Sequence, residues 1–236
     1  MSDSRIPEKP FEPRAVRSYV LRGGRLTASQ ERALDTLYPT AGIPIDDSPI
    51  EPESLFGRDA PLWVEVGFGN GESLVALAAS MPEINFIGIE VHRPGVGHCL
   101  HRMQEEQLSN LRVLEQDAVV ALRDRLPASS VARLLVLFPD PWHKKRHNKR
   151  RLVNRDFANV VAGVLTGDGV WHLATDWEPY AEWIHESVGD CPHFRNTAGT
   201  GCSAERPAYR LQTRFEKRGL KLGHRVQDLV FARVST

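Results

Sequence analysis

No run of apolar residues in the 236-residue sequence approaches the roughly 20 needed for a membrane-spanning helix. Its first residues, Met1 to Pro13, are polar and proline-rich where a signal peptide requires an apolar stretch, so the chain is expected to be cytoplasmic and away from membranes. Cysteine is scarce. Cys99, Cys191 and Cys202 are an odd set at irregular spacings, which fits reduced thiols better than a disulfide framework and gives no sign of redox chemistry. An excess of one charge is missing as well, because 30 Lys and Arg balance 30 Asp and Glu, so net charge argues neither for nor against a polyanionic partner. No internal repeat or low-complexity tract is present. What remains is a composition 41% hydrophobic and 25% charged, that of an ordinary globular chain large enough for one substantial core.

The charge is unevenly placed. From His143 to Arg155 the sequence carries Lys144, Lys145, Arg146, Lys149, Arg150, Arg151 and Arg155 with no acid among them. A neutral chain thus holds one concentrated positive patch.

Residues 1–60 contain many prolines, a short basic piece (Arg14, Arg17, Arg22, Arg25) around Tyr19 and Leu21, and no clear periodic apolar face. They read as an N-terminal extension, partly disordered, ahead of a domain over 61–236. From Pro61 onward short apolar runs alternate with helix-length amphipathic stretches. Strands are predicted at Leu62–Val66, Asn85–Glu90, Leu111–Leu114, Arg133–Phe138, Val170–Ala174 and Leu229–Val234. Helices are predicted at Glu72–Ser80, Pro94–Gln107, Ala118–Arg125, Arg155–Val164 and Glu178–Val188. This alternation implies an α/β fold, a doubly wound, mostly parallel and Rossmann-like sheet with ligands beyond the carboxyl ends of its strands.

The segment Val64-Glu65-Val66-Gly67-Phe68-Gly69-Asn70-Gly71-Glu72 is a glycine-rich turn between the first strand and a helix, and glycines there let backbone approach a ligand closely. Its spacing is G-x-G-x-G. The dinucleotide fingerprint requires G-x-G-x-x-G, and Glu72 stands where its third glycine would fall, which argues against a pyrophosphate and against a nicotinamide dehydrogenase. Glu65 in the preceding strand would repel phosphates but can receive an ammonium or a ribose hydroxyl. Glu90 ends the second strand, where an acid can accept from both ribose hydroxyls, and Asp117 follows the third, where it can accept from an adenine amine. S-adenosylmethionine, with an ammonium, a sulfonium and no phosphate, suits this set. The bland alternative is a tight turn beside surface acids.

Phe138-Pro139-Asp140-Pro141-Trp142 closes the fourth strand, where two prolines stiffen the loop, the aromatics can stack on a planar base and Asp140 can accept from its ring N–H and exocyclic amine. A core Phe and Trp with a turn Asp is the plainer reading. The basic run follows at once, interleaved with Trp142, His143 and His147, which favours a nucleic-acid substrate over a merely solvated face. His98, Cys99 and His101 invite a metal reading, but only 98 and 101 can share a helix face and no second cluster is evident, so no metal is expected. Asp176 can be a simple helix cap.

The run F-P-D-P-W-H-K-K-R-H-N-K-R-R resembles the signature of tRNA (guanine-N7)-methyltransferases of the bacterial single-subunit type. Arg17-Ser18-Tyr19-Val20-Leu21-Arg22, Gly24-Arg25-Leu26-Thr27, Glu65–Gly71, Gly88-Ile89-Glu90-Val91-His92, Ala174-Thr175-Asp176-Trp177 and Thr213-Arg214-Phe215-Glu216-Lys217-Arg218-Gly219 extend it. Only the first residues and 190–205 fall outside, and Gln227 stands where relatives often carry tryptophan, a packing detail. The resemblance implies methyl transfer from S-adenosylmethionine to N7 of guanosine in the variable loop of tRNA, with 61–236 as the methyltransferase domain. It implies that Glu65, Glu90, Asp117 and Asp140, with the turn glycines Gly67, Gly69 and Gly71, contact the methyl donor, Asp140 also being catalytic. It further implies that Lys144, Asp176, Thr213, Arg214, Phe215 and Glu216 bind the substrate nucleotide and that Arg146, His147, Asn148, Lys149, Arg150 and Arg151 contact RNA. No obligate protein partner is expected, and monomer and homodimer both stay open. A methyltransferase acting on another RNA and a non-catalytic RNA-binding protein are the alternatives. A small-molecule or protein methyltransferase would have no use for the cations beside Asp140.

Overall fold

The computed structural model describes residues 17–20, 25–213, 216, 217, 219, 223 and 225–234. Seven strands form one sheet: β1 (Leu62–Val66), β2 (Asn85–Glu90), β3 (Leu111–Glu115), β4 (Val131–Leu137), β5 (Leu165–Thr175), β6 (Phe194–Asn196) and β7 (Gln227–Arg233). Their order is β3-β2-β1-β4-β5-β7-β6. Strands β1 to β5 pair in parallel, and β7 runs antiparallel between β5 and β6. In register, Val64 pairs with Ile87 on one side and Leu134 on the other. The chain winds outward in both directions from β1 and β4, so a crevice opens above their carboxyl ends.

Both faces of the sheet are covered, which is why its strands read as near-continuous apolar runs. On one face Trp63, Phe86, Leu111 and Leu135 pack with α4 (Glu72–Ser80) and α5 (Arg93–Glu105) through Leu74, Val75, Val96 and Leu100. On the other, Val64, Ile87, Leu134 and Trp171 pack with α7 (Arg155–Val164) and α8 (Glu178–Gly189) through Phe157, Val161, Tyr180 and Ile184. Residue alternation in β1 puts Glu65 on the Trp63 face, and it is the single acid in that strand.

Residues 28–56, which display no periodic apolar face, carry three short helices: α1 (Ala28–Thr36), α2 (Tyr38–Ala41) and α3 (Pro52–Phe56). Thr27 and Gln30 form a capping box for α1, which buries Ala33 and Leu34. The helix lies so close to α5 that a Cβ on Gly97 would sit 2.8 Å from the Gln30 carbonyl. Tyr38 donates to the Ile43 carbonyl at 2.8 Å, and Gly42 and Ile43 meet Val113 at the β3 edge. Each helix hides too few apolar side chains to leave a periodic trace. Arg14, Leu21 and Arg22 lie outside the described residues.

Other differences are local. The segment predicted as one helix from Ala118 is a single α-turn, α6 (Ala118–Val120), that widens into a π-helical turn over Ala121–Arg125. There Arg125 is buried and donates to the Ser48 carbonyl and the Gln116 side chain. Strand β5 begins at Leu165, directly after α7, and β6 is a three-residue strand with no pattern of its own. Among the described residues no helix is long and apolar enough to cross a membrane.

Candidate active site

The glycine turn leaves β1 through three left-handed residues, Gly67, Gly69 and Gly71, at φ of 73°, 61° and 76°. The glycines divide by task. Nothing lies within 4 Å of a Cβ built on Gly67 or Gly69, so their backbone faces open space, whereas one on Gly71 would sit 2.5 Å from Cys99 Sγ in α5. A Cβ on Gly95 of α5 would overlap the Gly69 carbonyl, and His98 Nδ1 donates to the Asn70 carbonyl at 2.8 Å. Helix α5 therefore buttresses the turn from behind. His101 pairs with Glu105 at 3.6 Å on the exposed side of α5, and Cys99 is buried against Gly71.

Glu90, at the end of β2, ties two loops together. Its Oε2 accepts from Gly69 N at 2.8 Å, and its Oε1 accepts from Val91 N at 2.7 Å and His92 N at 2.9 Å. Glu65 is only 4% exposed, and burial together with repulsion by Glu90 pushes its carboxyl up to about 7. No described residue donates a hydrogen bond to it. It lines a cavity of about 620 Å³ with Gly67, Gly69, Phe138 and Thr213. A second cavity of about 780 Å³ shares Gly67, His92, Leu137 and Phe138 as its wall and is lined by Glu90, Gln116, Ala118, Asp140, His143, Asp176 and Trp177.

The two cavities meet at the loop after β4. Phe138 and Trp142 take φ of 54° and 48°, left-handed conformations that cost a non-glycine residue about 1–3 kcal/mol each. Surrounding bonds enforce them. Phe138 N donates to the Ala174 carbonyl at 2.8 Å, and Asp140 Oδ1 accepts from Trp142 N at 3.0 Å. Arg151 Nε donates to the Pro141 carbonyl at 2.9 Å while its guanidinium stacks on Tyr180 and Trp183, 5.0 and 5.1 Å from the ring centres. Asp140 itself is exposed.

The basic run folds as a 3-10 stretch, Lys145–Arg150, with Lys144, Lys145, Arg146 and Lys149 exposed and His147 packed edge-on against Trp142. Two of its cations, Arg150 and Arg151, turn inward. Arg151 is 6% exposed, and Arg150 lies 4.3 Å over the Trp142 ring while donating to the carbonyls of Arg17 (3.1 Å) and Tyr19 (3.4 Å). Trp142 Nε1 donates to the Ser18 carbonyl at 3.1 Å. Residues 17–20 are thus strapped across the larger cavity, with Ser18, Tyr19 and Val20 in its wall.

Of the remaining predicted residues, Asp117 caps α6 by accepting from Val119 N at 2.8 Å and hydrogen-bonds Tyr19; its neighbours Gln116 and Ala118 reach the cavity wall. Asp176 lines the larger cavity, and the N-cap position of α8 falls to Trp177, which makes no side-chain cap bond. Thr213 reaches the smaller cavity, but Glu216 is 3% exposed and locked in a fork with Arg210. Arg214 and Phe215 lie outside the described residues. Sequence reasoning gave no role to Tyr19, His92 or Arg210. Tyr19 and His92 sit inside quoted motifs, whereas Arg210 has no local signal.

A family model described as putative methyltransferase matches residues 59–229. A tRNA (guanine-N(7)-)-methyltransferase of Methylococcus capsulatus is 50% identical over 233 residues, which cover 99% of this chain and 100% of that protein. The chain belongs to the tRNA (guanine-N7)-methyltransferase family. The Sodalis glossinidius member is 51% identical over 93% of this chain and 92% of its own. The solved 16S rRNA methyltransferase KamB, 16% identical with a TM-score of 0.57 over 78% of this chain and 92% of its own, shares the fold. For this methyltransferase the cavities meeting at Phe138, with Asp140 in the wall of the larger, are the candidate active site, and the exposed cations of 144–149 flank it.

Proposed function

We propose that this protein transfers a methyl group from S-adenosylmethionine to N7 of guanosine in tRNA, the substrate named for its relatives in Methylococcus and Sodalis. The observation that carries the reading is Asp140, held on a strained loop between the glycine-turn cavity and a run of exposed cations.

The donor site fits S-adenosylmethionine on two counts. The space above Gly67 and Gly69, which a Cβ would fill, admits a ligand against bare backbone, and the buried Glu65 carboxyl, to which no described residue donates, suits a cationic or hydroxyl donor. Glu65 takes the ammonium, Glu90 the ribose hydroxyls and Asp117 the adenine amine; Gly67, Gly69 and Gly71 shape the turn. When bound, the donor supplies an electrophilic methyl on sulfur and departs as a neutral thioether.

Guanine N7 attacks with an in-ring lone pair, so no proton has to be removed and no general base is needed. The residues' work is alignment and charge. Asp140 touches the guanine edge and, with Asp176, stabilises the positive charge that methylation leaves on the ring. His143 and Trp177, packed edge to face at 4.4 Å, offer stacking surface for the base. Lys144, Thr213, Arg214 and Phe215 bind the substrate nucleotide, and Glu216, buried against Arg210, supports Thr213 from behind. Arg146, His147, Asn148, Lys149 and Arg150 hold RNA phosphates, while Arg151 acts from inside by fixing Pro141. Because N7 lies in the deep A-form groove, the target guanosine must be exposed or extruded.

We place the enzyme in the cytoplasm, with 61–236 as its methyltransferase domain and tRNA as its partner. Incubation of pure protein with S-adenosylmethionine and tRNA, followed by borohydride–aniline cleavage, tests the reading. It requires strand scission at one guanosine of the variable loop. Radiolabel incorporation without that scission refutes N7 as the acceptor.

A further inference from the structure

Arg210 belongs to none of the motifs given a role above. It is 4% exposed, and its guanidinium spans two acids. Nη1 donates to Glu216 Oε2 at 2.6 Å and Nη2 to Glu216 Oε1 at 3.0 Å, a bidentate fork, while Nη2 also reaches Asp228 Oδ2 at 3.0 Å and Nε faces Asp228 Oδ1 in an ion pair. The guanidinium carbon lies 6.0 Å from the centre of the Phe138 ring.

Behind Asp228 the polar chain continues into the sheet. His172 Nε2 donates to Asp228 Oδ1 at 2.8 Å, Tyr209 hydroxyl donates to His172 Nδ1 at 2.9 Å, and Arg133 donates to Tyr209 from between the Trp63 and Tyr209 rings. Burial lowers the His172 pKa and keeps it neutral, so the cations Arg133 and Arg210 balance the carboxylates Glu216 and Asp228. On the other side, Glu216 N donates to Thr213 Oγ1 at 3.1 Å, and Thr213 lines the smaller cavity. One continuous path therefore runs from strands β5 and β7 through Asp228, Arg210 and Glu216 to Thr213 at the site.

We infer that Arg210 is a positioning residue for methyl transfer: by gripping Glu216 against Asp228 it fixes Thr213, to which Glu216 N donates, in the wall of the donor cavity. This rests on the methyltransferase reading of that cavity. Sheet burial alone would not demand a fork, since a planar guanidinium specifies orientation where a lysine supplies only charge.

The test is steady-state methylation of tRNA by wild type, Arg210→Lys and Asp228→Asn at a temperature where circular dichroism finds each folded. Arg210→Lys should lower kcat between about tenfold and a hundredfold, the scale of a misplacement near 1 Å, while KM for tRNA and the Kd for S-adenosylhomocysteine stay within about threefold. Asp228→Asn, which leaves the fork to Glu216 in place, should lower kcat less. Either variant folded with wild-type kcat overturns the inference, and so does failure of both to fold, which would assign the cluster to stability alone. Inactive wild-type protein would remove the methyltransferase reading itself, an outcome separate from these.

Discussion

The two halves of the site are built on opposite plans. The donor half, Glu65 to Gly71 with Glu90, is backbone laid against backbone: glycines in conformations they adopt freely, Gly95 and Cys99 pressed behind them, and one carboxylate collecting three amide donors. The acceptor half, Phe138 to Arg151, is side chain holding strained backbone: two non-glycine residues at positive φ, a guanidinium sunk between aromatics, and a strap crossing from the N-terminal side. The first half is buttressed by residues 65–99. The second depends on residues far away in sequence, and damage to it should abolish turnover while leaving donor binding intact.

The sharpest way to separate the halves is Asp140→Ala. Turnover should fall roughly a hundred- to a thousandfold, while the Kd for S-adenosylhomocysteine rises far less. Near-normal methylation by the folded variant removes Asp140 from the catalytic centre. Gly69→Ala should do the reverse, since its new methyl enters the donor cradle at positive φ: donor binding should weaken by about tenfold or more while tRNA binding, read by filter retention, holds. Loss of tRNA binding in that variant would erase the distinction.

Replacing Lys145, Arg146 and Lys149 together by Ala should cut the log–log salt slope of tRNA binding by about 2–3, at roughly 0.7–0.9 per phosphate contact, and leave donor affinity unchanged. An unaltered slope counts against these cations as the RNA contact. The smallest effect concerns pH. Glu65 is raised in the folded protein to about 7, so its burial costs stability that is absent below the ordinary carboxyl range and fully felt above about 7. A bound ammonium favours the ionised carboxylate, so donor affinity should weaken as pH falls through about 7. Glu65→Gln should flatten that profile and raise the melting temperature of the ligand-free protein at pH 8. A Glu65→Gln protein that keeps the wild-type pH dependence of binding breaks the link between Glu65 and the donor.

Much of the donor half was legible in the sequence because its determinants are local. Doubly covered strands are apolar along their whole length, and Gly67, Gly69 and Gly71 lie within one turn. The 138–151 motif marked the acceptor half equally well, yet not the division of labour inside it. Arg151 reads like its neighbours in sequence, and only tertiary packing puts it between Tyr180 and Trp183, just as only the fold brings Arg210 between Glu216 and Asp228. The helices over 28–56 escaped notice because short helices bury too little to show a period, although the Thr27–Gln30 capping box was there to be read. The π-helical turn at Ala121–Arg125 has the composition of an ordinary helix and carries no sequence mark.

Calorimetric titration of the pure protein with S-adenosylhomocysteine addresses the cavity at the glycine turn directly, with no need for RNA or turnover. One site per chain, with weaker binding after Glu90→Ala, is the predicted result. No heat of binding at millimolar ligand would contradict the assignment of that cavity to the methyl donor.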